Sequence, residues 1–302
     1  MRLRCLLPLA LLALLPAPSA AADGFPPIDL AAGPDGVVGP NGGFRFGALP
    51  TPGGTVLTKT TTQGGQVFQA GVLEGSWGVP VVTNDGTAGG LSADGSTLVL
   101  VRSASRHPRR HTSFAVVSTK RFAVERTIEL KGNWNFDALS PNASTLYLIE
   151  NRNRRTNRYA VRAYDMRTHR LLPEPIVDPS EPGEPMRGFP IKRITGPGGR
   201  WEYTLYVGGE HPFIHALDTV GRTSLCLDLP DRVERRIWRN RLAIRGDTIR
   251  VLRGGRVIAA ASRRPQEAST GSGPPWAVAV VLVSGLIAAA GVRRLVIAGR
   301  PG

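Results

Sequence analysis

The chain has 302 residues and a formal net charge of +15, from 38 lysine and arginine residues against 23 aspartate and glutamate residues. This length allows one large domain with a full hydrophobic core, and only two cysteines exclude a small disulfide-rich domain. Aromatic residues make up 6% of the chain and no nucleic-acid-binding motif is present. The positive charge therefore indicates anionic partners other than nucleic acid.

The amino terminus has the pattern of a secretory signal peptide. Two arginines precede an apolar run over residues 5–15, and a stretch of small residues ends at Ala22. The run is too short for a bilayer core, which needs about 20 helical residues. We therefore predict a cleaved signal peptide at residues 1–22. An uncleaved anchor helix is the alternative, which Pro8 and Pro16 disfavour because proline interrupts a helix.

Residues 23–262 are predicted to form one extracytoplasmic domain built from repeats. One pattern recurs: a hydrophobic residue, a polar turn, a threonine and then apolar residues. Each copy predicts two β-strands joined by a turn whose Gly, Asn or Asp tolerates a positive φ. Successive copies are about 40–55 residues apart. The copies begin at Leu49, Leu91, Leu139, Ile194 and Leu242.

A second pair of strands follows the repeat, most visibly over residues 114–130, 159–177 and 213–229. In each of these stretches, alternating apolar residues lead to a polar turn and then to another alternating strand. Four strands per repeat predict an all-β fold, a β-propeller of about five four-stranded blades. The last repeat is short, so we expect residues 23–46 to complete its blade and close the ring. A β-sandwich is the alternative, although it would lack this long period.

Two of the copies also resemble a known class of protein. The stretches LSADGSTLVLV at 91–101 and LSPNASTLYLI at 139–149 are similar to the strand–turn–strand of YVTN and WD-repeat-like propellers of bacterial envelopes. YAVRAYDMRT at 159–168 resembles the third strand of that class. The resemblance implies a propeller fold and a binding function, but it implies no particular reaction.

A candidate binding face follows from this architecture. If strands a to d run from axis to rim, the a–b and c–d turns lie on one face and the b–c and d–a loops lie on the other. The turns are tight, whereas the loops are long and rich in arginine. Arginine binds carboxylates and phosphates through two parallel hydrogen bonds, and tryptophan stacks on flat or cationic groups. The predicted site for an anionic or protein partner consists of Arg106, Arg109, Arg110, Arg152, Arg154, Arg155, Arg158, Arg235, Arg236, Arg239, Trp77, Trp134 and Trp238. The alternative is that these arginines are only solvated and that the tryptophans pack between blades.

An exported glycan-active enzyme is the alternative function. It would need carboxylates that converge on the axis, and Asp137, Glu150 and Glu210 lie near strand ends in successive copies. His211 and His215 have the spacing of a helical metal pair, but the proline between them disfavours a helix. The sequence has no nucleophile elbow, Walker loop or dinucleotide-binding fingerprint. We therefore predict no catalytic residues, no metal site and no cofactor.

The carboxyl-terminal region predicts a tether and a membrane anchor. Residues 263–275 are rich in Pro, Gly and Ser, which is typical of a linker. Residues 276–292 carry no charge and would span about 26 Å as a helix. Two arginines follow this segment, so the positive-inside rule places the tail, residues 293–302, in the cytoplasm. We predict a single-pass type I protein of the cell membrane with most of the chain outside the cytoplasm; a tail this short disfavours a signalling role.

The predicted exported part is itself basic. Five of the 38 basic residues lie in the signal peptide and the tail, whereas all 23 acidic residues lie between them, so this part carries a formal charge of +10. A field of this sign attracts anionic polymers and anionic lipid headgroups. The short linker would hold the domain close to the bilayer, which makes proximity to the membrane a competing reason for the arginines.

Overall fold

The computed structural model describes residues 36–104, 108–153, 158–183 and 186–263. The predicted signal peptide, transmembrane helix and cytoplasmic tail lie outside the described residues, as does the linker beyond Arg263. Among the described residues, no helix is both long and apolar enough to cross a membrane.

The described residues form five antiparallel sheets, each built from strands that are consecutive in the chain. The first two sheets contain β1 (Val37–Val38), β2 (Phe44–Thr51), β3 (Gly54–Thr61) and β4 (Val67–Leu73), then β5 (Trp77–Gly78), β6 (Thr97–Arg102), β7 (His111–Ser118) and β8 (Ala123–Lys131). The next two contain β9 (Trp134–Leu139), β10 (Thr145–Asn153), β11 (Arg158–Asp165) and β12 (Arg170–Ile176), then β13 (Phe189–Thr195), β14 (Trp201–Val207), β15 (Phe213–Asp218) and β16 (Thr223–Asp228). The fifth contains β17 (Asn240–Arg245), β18 (Thr248–Arg253) and β19 (Arg256–Ser262).

The sequence of each strand matches its depth in the sheet. The second and third strands of the second sheet are nearly continuous apolar runs, LVLV at 98–101 and FAVV at 114–117, and both are buried. The outermost strand β8 instead alternates between exposed and less exposed positions. A strand covered on both faces needs apolar residues at every position, whereas a strand at the rim needs them at every second position.

Each sheet packs face to face against the next sheet in the chain. Hydrophobic clusters join the first sheet to the second and the second to the third. Further clusters join the third to the fourth and the fourth to the fifth. The first strands of the fourth and fifth sheets, β13 and β17, also contact each other. Meander sheets stacked in chain order, with their first strands inward, are the blades of a β-propeller, which confirms the predicted all-β propeller class.

The predicted closure of the ring by residues 23–46 is wrong for the part of this segment that is described. Residues 36–46 belong to the first sheet, because Val37 pairs with Phe46 and Val38 with Arg45 across β1 and β2. A tight turn folds the chain back onto β2, and the Gly39 amide donates to the Phe44 carbonyl at 2.8 Å. The fifth sheet has three described strands. Residues 23–35 lie outside the described residues.

One end of the propeller carries the short hairpins, and we call it the turn face. In the second sheet, the Thr119 hydroxyl donates to the Gly95 carbonyl at 2.7 Å and so joins the two hairpins of that blade. The fourth sheet repeats this bond, since the Thr219 hydroxyl donates to the Arg200 carbonyl at 2.8 Å. The a–b and c–d turns therefore share a face, as predicted.

The opposite end carries the b–c and d–a connections, and we call it the loop face. In the second sheet, the Gly132 amide donates to the Arg110 carbonyl at 2.7 Å. In the fourth sheet, the Leu229 amide donates to the Pro212 carbonyl at 2.8 Å. Each bond joins a b–c loop to the d–a connection of the same blade, so these loops lie at one end of the molecule.

The c–d turns repeat one backbone conformation. Phe122, His169 and Arg222 have φ values of 52°, 60° and 57°, each at the same place in its turn. Asp165 and Asp218 stand four residues earlier, and their side chains accept hydrogen bonds from the turn amides. A residue other than glycine in this left-handed region costs free energy, which the fixed turn offsets.

Candidate functional site

Trp134 of the predicted site is buried between blades. It is 4% exposed, and its indole Nε1 donates to the Lys131 carbonyl at 2.9 Å. Its own amide donates to Thr112 Oγ1 at 3.1 Å, and the Thr112 hydroxyl donates to the Gly132 carbonyl at 2.9 Å. The ring belongs to the cluster between the second and third sheets. It offers no face to a ligand.

Trp77 repeats this arrangement one blade earlier. It is 2% exposed, its Nε1 donates to the Glu74 carbonyl at 2.6 Å, and its amide donates to Thr55 Oγ1 at 2.7 Å. The Arg102 guanidinium lies 4.5 Å from the ring centroid. For both tryptophans the structure therefore agrees with packing between blades and removes them from the binding surface. Trp238 differs, because 51% of it is exposed.

The arginines of the predicted site fall into three groups. Arg109 is buried and its Nη1 donates to the Trp134 carbonyl at 3.4 Å, while Arg152 pairs with Glu150 at 3.0 Å. Arg106, Arg154 and Arg155 lie outside the described residues. The remaining members are exposed on loop-face connections or strand ends, and within the described residues none of them forms an ion pair: Arg110, Arg158, Arg235, Arg236 and Arg239.

Three of these arginines share the connection between β16 and β17. The segment contains two short 3₁₀ turns, Asp231–Val233 and Ile237–Arg239, which place Val233 and Ile237 in the core. Arg235, Arg236 and Arg239 stand between or beside these buried anchors and are exposed. The anchors fix the backbone, so the guanidinium groups project from a defined support rather than from a free loop.

A large cavity lies at the axis, beside the a–b turns, on the face opposite the predicted binding site. Its volume is about 580 Å³. Four successive sheets contribute to it through β1, the stretch 87–93, β9 and β13. Cavities that hold small ligands occupy roughly 300–1,000 Å³ and are mainly apolar with a few polar groups. The polar side chains with ionisable groups that line it are Asp137, Arg193 and Glu202.

Asp137 and Arg193 form a buried ion pair across the boundary between the third and fourth blades. Asp137 is 1% exposed, and Arg193 donates to its carboxylate and to its carbonyl. Arg193 Nε also donates to Thr204 Oγ1 at 2.8 Å. The second carboxylate oxygen of Asp137, Oδ2, is buried without a hydrogen-bond partner within the described residues. A buried acceptor of this kind is costly unless something donates to it.

Glu202, which is not among the residues predicted from the sequence, completes the polar part of the cavity. The Thr195 hydroxyl donates to its Oε2 at 2.8 Å. Glu202 is half-buried, and its partial loss of hydration raises the pKa of its carboxyl to about 7, against the opposing influence of Arg193. A carboxyl group that titrates near neutral pH and lines a cavity is a candidate functional group. Glu202 alternates with Thr204 on a strand that is otherwise aromatic and aliphatic, which was the signal available in the sequence.

The three carboxylates considered for an enzyme do not converge. Asp137 lies at the axis, but Glu150 pairs with Arg162 and with Arg152, at 3.0 Å each. Glu210 is 81% exposed on its side chain and lies near Arg187, on the loop face. The alternative enzyme therefore lacks the converging carboxylates that it required, because only Asp137 reaches the cavity.

The two histidines are also separate. His211 is exposed, and its Nε2 lies 2.6 Å from Asp228 Oδ1. His215 is buried, and burial lowers its pKa to about 4, so it is neutral at physiological pH. Among the described residues, no three His, Cys, Asp or Glu side chains stand close enough to hold a metal ion.

Comparisons with known proteins leave the family open. No family model matches the chain, and no curated protein matches it. Solved structures similar to it include hydrazine synthase of Kuenenia stuttgartiensis (15% identity, TM-score 0.42, covering 76% of this chain and 58% of that chain). TolB of Acinetobacter baumannii has 10% identity and a TM-score of 0.38, covering 75% of this chain and 53% of that one. Acylaminoacyl peptidase of Pyrococcus horikoshii has 11% identity and a TM-score of 0.40, covering 71% and 34%.

The chain spans less than two thirds of the length of each of these three proteins. At such identities and TM-scores the similarities assign neither family nor function to the chain. The propeller fold rests on the sheet order and packing described above.

Proposed function

We propose that the chain is a membrane-anchored, extracytoplasmic β-propeller that acts as a binding module in the cell envelope. Its loop face binds an anionic partner, either a protein or a polymer. One observation carries this proposal: five exposed arginines on the loop face have no ion-pair partner within the described residues, namely Arg110, Arg158, Arg235, Arg236 and Arg239.

The chemistry of these arginines suits carboxylate or phosphate groups. A guanidinium offers parallel N–H donors that match two oxygens, and it loses less hydration on binding than an ammonium does. The chain carries only four lysines, so arginine supplies nearly all of this charge. Hydrogen bonds between the loops, such as that from Gly132 to Arg110, support the backbone from which Arg110 projects. A preordered surface loses less conformational entropy on binding.

The glycan-active enzyme has no comparable support. It required Asp137, Glu150 and Glu210 to meet, and two of these lie away from the axis. The binding module is therefore the function that we carry forward.

The proposed membrane location and topology can be tested separately from the binding. The full chain should remain with membranes after extraction at high pH, and a chain that lacks residues 276–302 should be released. Protease added outside intact cells or spheroplasts should digest the propeller and leave a carboxyl-terminal tag protected. A full chain found in the soluble cytoplasmic fraction would contradict the proposed location.

The binding is tested by photo-crosslinking of the full chain in its native membrane. A photoreactive phenylalanine derivative replaces Pro108, which is exposed on the loop face. The loop variant changes Arg110, Arg235 and Arg236 to Gln. The control variant makes the same charge change on the turn face, at three exposed arginines: Arg167, Arg170 and Arg245.

The parent and the control variant should capture the same anionic protein or polymer, and the loop variant should lose it. Equal loss in both variants would mean that the partner responds only to overall charge. Capture of lipid alone by all three chains would contradict a protein or polymer partner.

A further inference from the structure

The axial cavity has chemistry opposite to that of the loop face. It lies at the turn face, bounded by Gly196 and Gly199 of one turn and by Ser92 of another. The exposed arginines of the proposed partner surface belong to connections at the other end. The cavity is therefore a separate place for a ligand, and its chemistry is independent of the proposed partner.

The charged groups in the cavity leave acceptors rather than donors for a ligand. Arg193 uses its Nε on Thr204 and both terminal nitrogens on Asp137, so Asp137 neutralises its charge. Asp137 still has one oxygen, Oδ2, without a partner among the described residues. Glu202 forms no ion pair with a described residue, although Arg193 acts on it at a distance, and its side chain accepts a hydrogen bond from the Thr195 hydroxyl. When Glu202 is ionised, the three ionisable groups carry a net charge of −1.

The rest of the cavity wall is mainly apolar. Val37 comes from β1, Val82 precedes the stretch 87–93, and Phe136 and Leu139 belong to β9; all four side chains are buried. A volume of about 580 Å³ exceeds what one or two water molecules need. An apolar wall around one carboxylate favours a ligand that has an apolar body and one positively charged donor.

We propose that the axial cavity binds a small organic cation, an ammonium group on an apolar body, with Glu202 as its counter-charge. The ammonium donates to Glu202, and the apolar body packs against the wall formed by Val82, Phe136 and Leu139. A carboxylate ligand would face Glu202 with the same charge, while the guanidinium of Arg193 is already held by Asp137.

The proposal predicts that affinity depends on pH with a definite sign. The groups that act on Glu202 are Arg193 and Thr195 on the neighbouring strand and Asp137 on β9. Burial raises the pKa of Glu202 to about 7, so the carboxyl is mostly neutral at about pH 6 and mostly ionised at about pH 8. An alkylammonium stays charged throughout this range, as lysine does. Affinity for the cation should therefore rise about tenfold from pH 6 to pH 8.

Three indole compounds with the same ring but different charges test whether the cavity selects its ligand by charge. Tryptamine is cationic, tryptophol is neutral and indole-3-acetate is anionic, and all carry the same ring. Binding is measured by saturation-transfer NMR and by titration, with the full chain in nanodiscs of zwitterionic lipid so that the membrane attracts none of the three by charge. Tryptamine should bind best, tryptophol more weakly and indole-3-acetate not at all. Equal binding of tryptamine and tryptophol, or a preference for the acid, would overturn the proposal.

Two variants and one control assign the effect to the cavity. Glu202→Gln should weaken tryptamine binding about tenfold at about pH 8 and remove its pH dependence. Glu174→Gln makes the same change on the exposed outer strand β12 and should bind like the parent. Unchanged tryptamine binding by a folded Glu202→Gln chain would contradict the proposed role of Glu202 as the counter-charge.

Thr195→Val keeps the proposal testable if Glu202→Gln fails to fold. It retains the size of the side chain and the charge of Glu202, but it removes the hydroxyl that donates to Glu202. This hydrogen bond lowers the pKa of Glu202, so its loss should move the midpoint of the affinity–pH curve upward. An unmoved midpoint would show that another group controls binding.

Discussion

Trp134 distinguishes a structural role from a binding role for the tryptophans of the predicted site. Substitution by Phe keeps an aromatic ring but removes the indole N–H, which donates to the Lys131 carbonyl. It also removes the part of the ring that fills the cluster beside Phe136 and Ile128. We expect Trp134→Phe to destabilise the propeller and to leave partner capture on the loop face unchanged.

The magnitude follows from these two losses. A net hydrogen bond contributes about 1 kcal/mol, and the substitution removes the indole donor of the Lys131 carbonyl. The missing ring atoms leave a small cavity, which costs a further 1–2 kcal/mol or so. A total of about 2–3 kcal/mol lowers the Tm of a domain of this size by roughly 4–12 °C. Trp238→Phe, at a half-exposed position, should change the stability by no more than about 0.5 kcal/mol.

The assay is thermal unfolding of the full chain followed by circular dichroism, in parallel with the photo-crosslinking described above. Trp77 offers an internal replicate, because it has the same threonine, carbonyl and indole contacts one blade earlier. Trp77→Phe should therefore lower the Tm by a similar amount. An unchanged Tm together with lost partner capture would refute the structural role and return these rings to the binding site.

Three further predictions concern the turns and the boundary between blades. Burial raises the pKa of Asp218, but hydrogen bonds from Arg200 and the turn amides bring that pKa below its usual value. The ionised carboxylate therefore stabilises the folded chain above the unfolded pKa, and this stability is lost as the pH falls through the folded pKa. Asp218→Asn should flatten the decline of Tm between about pH 5 and 3. His169→Gly should raise the stability by about 0.5–1 kcal/mol because the φ of 60° favours glycine, whereas glycine one residue earlier should lower it; calorimetry measures both. Tyr147→Phe removes a buried hydrogen bond to the Thr219 carbonyl at 2.9 Å and should cost about 1–2 kcal/mol in a denaturant titration.

The hairpins could be predicted because their causes are local. In the turn after Leu91, the Asp94 carboxylate accepts hydrogen bonds from the Ser92 hydroxyl and the Ser96 amide. Asn142 plays the same part in the next blade. These residue types at these spacings favour a turn without help from the rest of the chain. The number of sheets could therefore be predicted from the number of repeats in the sequence.

The departures from the repeat have causes distant in the sequence. The inner edge of the second sheet is interrupted by a small excursion in which Val81 bridges to Ala88. Its tip reaches the fourth sheet, where the Asn84 amide donates to the Pro190 carbonyl at 2.9 Å. Strand β1 is only two residues long and carries no copy of the pattern. No local propensity predicts such contacts, because they depend on which blades meet at the axis.

In the candidate site, too, the features with local causes could be predicted from the sequence and those that depend on distant residues could not. The sequence predicted that the b–c and d–a connections share one end, and the backbone bonds of the second and fourth sheets agree, because the alternation of hairpins and loops fixes that side. The sequence left the burial of Trp77 and Trp134 as the alternative to a binding role. Both stand two residues after a glycine whose carbonyl accepts a hydrogen bond from a threonine, and this repeated position indicates packing. Glu202 was missed because its environment comes from Arg193 and Asp137 on other strands.

The two proposed sites should differ in their response to salt because one charge distribution acts on both. The predicted exported part carries +10, so an anionic partner is attracted to the loop face and a small cation is repelled at long range. Raising the ionic strength screens both interactions over about 8–10 Å. Capture of the anionic partner through Arg235 and Arg236 should then weaken. Binding of the cation should weaken less, because its contact with Glu202 is short-ranged whereas the repulsion that screening removes acts at long range.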